Sequence, residues 1–247
     1  KTAYEITYGD WSSDVCSSDL TDIAALSATQ IGGLTAVQIG VLSTTQIQAI
    51  ETTDLAAFSV TQIGSLTTTQ VAALTTTQIK AVETTDIAAL SSTQVGVLTT
   101  TQIAVLSTSQ VAAIETTDIA VLTATTQFAA LAATQIGALT VSQVAALTST
   151  QVKNLSATQL SGLSATQVGA FETTDIAVLT TTNVAALTTT QVGGLTASQV
   201  GALTTTQIGA IQTTDIAALS ATQIGGLTRS EEHTSELQSP YVISYAV

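Results

Sequence analysis

Charge, aromatic rings and reactive side chains are nearly missing from this chain. Only 9% of its residues are charged, 3% are aromatic, and methionine is absent. Four basic residues stand against 17 acidic ones, for a net charge of -13. A phosphate backbone is gripped by clustered Lys and Arg, so nucleic acid is excluded as a partner. Trp11, Cys16, His233 and Pro240 are each the only residue of their kind. They and all four tyrosines (Tyr4, Tyr8, Tyr241 and Tyr245) lie outside residues 21–228. That stretch holds no His, Cys, Arg, Tyr, Trp, Met or Pro. A Ser or Thr nucleophile needs an adjacent base, and here only carboxylates and two lysines exist. Lys80 and Lys153 each follow an apolar anchor and read as surface substitutions. The glycine pairs at 32–33, 193–194 and 225–226 are repeat variants, not a phosphate loop. These absences point away from an enzyme. No apolar run is long enough for a membrane span, which needs about 18 residues.

What is present is Thr, Ala, Gln, Leu, Ile, Val and Ser, in an eight-residue repeat. An aliphatic residue or Phe returns every eighth position: Ile23, Ile31, Ile39, Ile47, Leu55 and Ile63, on to Ile119. One extra residue falls within Thr123–Gln127, and the period resumes at Phe128 and runs to Ile224, giving 26 anchors. A second apolar anchor follows each by three residues, as Leu26, Leu34, Leu42, Ile50 and Phe58 show. The unit is close to [ST]-x-[TS]-Q-[IV]-[AG]-x-L. Tandem units of this size signal an array whose members pack on their neighbours.

The anchor spacings of three and five are both odd, so a strand would point the two anchors to opposite faces. A continuous helix also fails. Eight residues at about 100° each advance about 800°, and the apolar stripe would drift by about 80° per unit. A broken helix fits. Ser27 is placed as an N-cap and Gln30, three residues on, as its capping-box partner. Leu26 and Ile31 flank them at the spacing of a hydrophobic staple. Gly or Ala near the unit's end is expected to allow a tight stop. The expected fold is therefore all-α, a solenoid of very short helical segments, one per octapeptide and four per coil. A two-segment coil is also compatible, and the alternative fold is a β-solenoid. Segments this short have no stability alone, so each must pack on neighbouring units.

Asp replaces Gln at positions 22, 54, 86 and 118, a spacing of 32. After the insertion the same phase gives Gln151, Asn183 and Asp215, with Asp175 one octad out of phase. Glu51, Glu83, Glu115 and Glu172 each precede an Asp in the motif E-T-T-D. Every fourth unit is thus expected to stack on one edge of a square coil. The ladder Asp22, Glu51, Asp54, Glu83, Asp86, Glu115 and Asp118 is the one arrangement that could hold a cation, and its oxygen ligands suit Ca²⁺. Each unit offers two carboxylates and no Asp-rich loop. First-turn acids favoured by the helix dipole and solubility explain the pattern better. No catalytic or cofactor-binding residue is assigned, and no cofactor is expected.

The two ends resemble DNA chemistry rather than protein. Arg229–Ser239 reads RSEEHTSELQS and Ile243–Val247 reads ISYAV, which resemble translation of a widely used short-read sequencing adapter. Lys1–Ile6, KTAYEI, and Asp10–Leu20, DWSSDVCSSDL, are similar to translation of its reverse strand. Three regions are therefore expected: adapter-derived, disordered residues 1–20; the solenoid, 21–228; and adapter-derived, disordered residues 229–247. Lys1–Leu20 lacks the apolar core of a secretory signal, and Cys16 says nothing of redox compartment. Residues 21–228 are expected to be an internal slice of a longer reading frame.

The octads are similar to Thr/Gln/Ile/Leu-rich arrays of giant bacterial surface, adhesin-like proteins. That resemblance covers 21–228, rests on composition and period, and transfers no functional residue. It implies a non-catalytic spacer or stalk, extracellular or at the cell surface. Its partners would be neighbouring repeats of the same chain, with cell-surface or matrix components beyond. Two alternatives stand beside it. The T-T-T runs at 67–69, 75–77 and 99–101 suggest a Thr-faced β-solenoid that binds ice or polysaccharide. An intracellular α-solenoid scaffold for protein partners is the other.

Overall fold

The structure, a computed structural model, describes residues 17–227. The adapter-like readings of the two ends lie outside the described residues, except that 17–20 open the first helix, Ser17–Ala24. Among the described residues there is no strand. Each octad forms one short helix, most of them four to six residues long, joined by tight corners. The chain is an all-α solenoid of short segments. The β-solenoid alternative is thereby corrected, and the anchor spacing supplies the reason. Positions i and i+3 fall on one face of a helix but on opposite faces of a strand.

The octad Thr99–Leu106 shows how the sequence produces this. Thr99 is the N-cap, extended at φ -73 and ψ 159, and its side chain accepts from the Gln102 N–H at 3.2 Å. The Gln102 Oε1 accepts from the Thr99 N–H at 2.7 Å. Two of the helix's orphan donors are satisfied reciprocally. Helix Thr100–Val105 follows, and Leu106 leaves it at φ -58 and ψ 136. Ser107 is extended again, at φ -68 and ψ 160, and caps the next helix. Two consecutive extended residues, Leu-[ST], make the corner. Both anchors point inward: Ile103 is 0% exposed and Leu106 is 4% exposed.

Gly or Ala stands at the end of many of these helices, as Gly33, Ala138 and Gly194 do, but no left-handed turn is involved. Gly33 and Gly194 are C-caps in the right-handed region, at φ -81 and φ -80, and none of the glycines described has a left-handed φ. Gly194 serves close packing instead. A Cβ there would lie 2.5 Å from the Ala165 carbonyl oxygen. A Cβ at Gly162 would likewise collide with the Ala133 carbonyl oxygen.

The coil is shorter than four octads. Inter-coil hydrogen bonds to backbone carbonyls run mainly 28 and 31 residues back, as from Gln70 to Leu42 and Ile39. Side-chain pairs between coils run 26 back, as from Asp118 to Ser92. A coil therefore spans about 28 residues, three and a half octads. Each helix packs on the helix three units away, Val60–Gly64 on Ala36–Gly40 for example. The expected square coil with acidic units on one edge is corrected accordingly. A 32-residue spacing on a coil of about 28 carries each acidic unit about one seventh of a turn onward.

The chain divides into two compact units, Lys1–Leu131 and Ala132–Val247. The extra residue near the end of the first is absorbed in a turn before the 3₁₀ helix Phe128–Ala130. Gln127 still accepts from its cap, four residues back instead of three, at 2.9 Å. In both units the core is the file of paired anchors, lined on its polar side by the repeat glutamines.

Candidate functional site

The chemistry of this protein is concentrated at the fourth position of the octad, where glutamine does two jobs at once. The Gln102 Oε1 accepts from its cap, while Nε2 donates to the Val71 and Leu74 carbonyls at 2.9 and 2.8 Å. These are carbonyls at the end of a helix in the coil beneath. The Leu74 carbonyl lies past the helix end, where no intrahelical N–H reaches it, whereas the Val71 carbonyl also accepts from the Leu74 N–H at 3.2 Å. The same bonds recur at Gln62, Gln78, Gln94 and Gln110 in the first unit. In the second, Gln191, Gln199, Gln207 and Gln223 repeat them. Gln30 and Gln38, in the first described coil, are half-buried, whereas every later repeat glutamine is buried.

From the sequence alone glutamine reads as a capping partner, with no sign of this second role in the single octad. The sign lies in the array as a whole. A capping box accepts Glu as readily as Gln, yet the 26 fourth positions hold 19 Gln, six Asp, one Asn and no Glu. An ionised Glu can only accept, whereas an amide both accepts at the cap and donates to a carbonyl.

The acidic units interrupt the ladder. Asp54, Asp86 and Asp118 are buried at 8%, 3% and 2% exposure, while their partners Glu51, Glu83 and Glu115 are exposed caps. Asp22, in the first described helix, is exposed. A carboxylate cannot donate, so these units turn to a different partner. Ser92 donates to Asp118 at 2.5 Å, Ser149 to Asp175 at 2.7 Å and Thr189 to Asp215 at 2.6 Å. In each case the hydroxyl stands 26 residues before the acid, at the first position of a helix in the coil beneath. At Asp86 that place belongs to Val60 and at Asp54 to Ala28, neither of which has a hydroxyl. The Asp86 carboxyl is raised above the usual range, first by burial and then by the charge of Glu83. Asn183 keeps the ladder despite its shorter side chain, with Nδ2 donating to the Leu155 carbonyl at 2.7 Å.

The acids are not gathered into one centre. Among the described residues, no three of His, Cys, Asp and Glu form a group able to hold a metal ion. An open depression of about 480 Å³ in the second unit is lined by Ala157, Thr181, Thr182, Ala185, Ala186 and Ala210. It presents methyl and hydroxyl groups and no base. No helix among the described residues is long and apolar enough to cross a membrane.

A family model described as the ALTTAQ repeat matches residues 19–49, 47–84, 79–113, 111–149 and 168–205, more than half of the chain. The chain belongs to the ALTTAQ repeat family. No curated protein and no solved structure gives a significant match. Each family match spans about four octads, so the motif is met here as a tandem array. In this ALTTAQ array the glutamine is the residue that joins one coil to the next.

Proposed function

We propose that this ALTTAQ array is a non-catalytic structural segment, a spacer or stalk within a large bacterial secreted or surface protein of the adhesin-like kind. One observation carries the reading: in the ordinary octads the cap hydroxyl and the glutamine are spent on the array itself. The cap hydroxyl serves its own helix, as at Thr99. The glutamine serves its own cap and the coil beneath, as at Gln102. A fold built this way lengthens by adding identical units, because each coil presents the next with the same row of carbonyls. The exposed positions are mostly Thr, Ser, Ala and Gly with a net negative charge, which suits a solvated spacer.

The decisive experiment has two arms. The length of the particle is measured by small-angle scattering on arrays of increasing octad number. A spacer gains about 8–10 Å for each added coil, the distance between packed helices. A length that fails to rise with coil number would sink the spacer reading. Antibody labelling of intact, unpermeabilised cells tests the surface placement separately, and labelling only after permeabilisation would favour the intracellular scaffold.

A further inference from the structure

The acidic units are the places where the ladder is open, and at two buried ones, Asp54 and Asp86, no hydroxyl replaces it; Asp86 is the more deeply buried. The ordinary units close the corner with an amide donated to a carbonyl about 28 residues back, as Gln94 does to Leu66 at 2.8 Å. The corresponding carbonyl for Asp86 is that of Phe58, and no hydrogen bond among the described residues reaches it. Asp118 is compensated by Ser92 and Asp175 by Ser149. Asp86 faces Val60, and its carboxylate is met by no donor among the described residues. Reach is not the obstacle. Asn183 has the length and branching of aspartate and bonds its carbonyl at 2.7 Å.

We propose that the Asp86 unit is a proton-operated joint: its neutral carboxyl donates to the Phe58 carbonyl and closes the corner, and loss of that proton opens it. The group taking up the proton belongs to a residue that is 3% exposed, in an environment that disfavours charge. The helices packed against its own, Thr84–Ile87, are Val60–Gly64 and Thr108–Ala113. Their sequences, VTQIG and TSQVAA, contain no ionisable residue. Glu83, the exposed cap of the same helix, is the one charged neighbour that bears on it, and it disfavours a second negative charge. The raised carboxyl agrees with the geometry. The native state binds the proton more tightly than the unfolded chain, so the joint's contribution is complete below the ordinary carboxylate range. It is lost as pH rises through the folded value. The joint does not depend on the spacer reading, since it concerns the cohesion of the coil wherever the protein works.

Hydrogen exchange of the whole chain between about pH 4 and about pH 7, corrected for intrinsic rates, reads the joint directly. The expected result is that amides of Thr84–Ile87 lose protection as pH rises, by up to about tenfold for each pH unit of elevation in the carboxyl. Asp86→Asn should hold high protection with no pH dependence. Val60→Ser, which restores a hydroxyl where Ser92 serves Asp118, should weaken the pH dependence without touching the acid. Carbon-13 titration of the Asp86 carboxyl gives an independent reading. An Asp86 that titrates at the ordinary value, or a wild-type pH profile that matches that of Asp86→Asn, overturns the proposal. Should Asp86→Asn not fold, Val60→Ser and the titration still decide.

Discussion

Gln102→Glu separates the two roles of the repeat glutamine, because the cap and the ladder predict opposite signs. The substitution changes one atom group and almost no volume. As a capping partner, Glu is fully competent and its charge suits the helix N-terminus, for a gain of about 0.3–1 kcal/mol. As a ladder member, Glu is ruinous. The Val71 and Leu74 carbonyls, bonded at 2.9 and 2.8 Å, both lose the amide; Val71 keeps the Leu74 N–H, and Leu74 is left with no donor. Each unsatisfied buried acceptor costs about 1–3 kcal/mol. The new carboxylate would sit where Gln102 is only 2% exposed, against two carbonyl oxygens. The balance is a loss of about 2–5 kcal/mol at neutral pH, part of it recovered in acid where the group is neutral. Urea unfolding followed by helical circular dichroism measures it, with exchange at the amides of Leu74 to Thr76 as a local check. A Gln102→Glu protein as stable as wild type at neutral pH would refute the ladder as an energetic element.

Other substitutions probe different parts of the coil. Gly194→Ala should destabilise by about 1–3 kcal/mol through overpacking, since its Cβ would lie 2.5 Å from the Ala165 carbonyl oxygen. Gly64→Ala, with nothing within 4 Å, should instead stabilise by about 0.4–1 kcal/mol; thermal melts of the pair compare them. Ile103→Ala removes a fully buried anchor and should cost about 2–5 kcal/mol in urea unfolding. Ser92→Ala deletes the donor to Asp118 and should cost about 1–3 kcal/mol. Ser92→Thr should be tolerated, because Thr189 plays that part for Asp215; exchange at Thr116–Val121 reports both.

Most of the architecture is local, which is why it could be read from the chain. The capping box, the two inward anchors three apart and the corner at Leu-[ST] all lie within eight residues, as at Thr99, Gln102, Ile103 and Leu106. Short-range geometry of this kind depends on the backbone and the nearest side chains alone, and repetition of the unit amplified a weak signal. The tight stop at Gly or Ala is local in the same way, whereas the need for Gly itself at 194 is not, because the Ala165 carbonyl lies against it from another coil.

Anything that depends on which unit lies above which was closed to the sequence. The 32-residue acidic period invited a coil of four octads, whereas the bonds from Gln70 to Leu42 and from Asp118 to Ser92 span 28 and 26 residues. Coil pitch is set by how short helices turn at their corners and settle into one another, a sum of small angles that no octad records. Only that stacking made Asp118 a partner of Ser92 and left Asp86 beside Val60 with none. The octad by itself determined helix, cap, corner and core, because those contacts close within a single unit. The tertiary structure decided the pitch, the second bond of each glutamine and the separate fates of the aspartates, because those contacts exist only between coils.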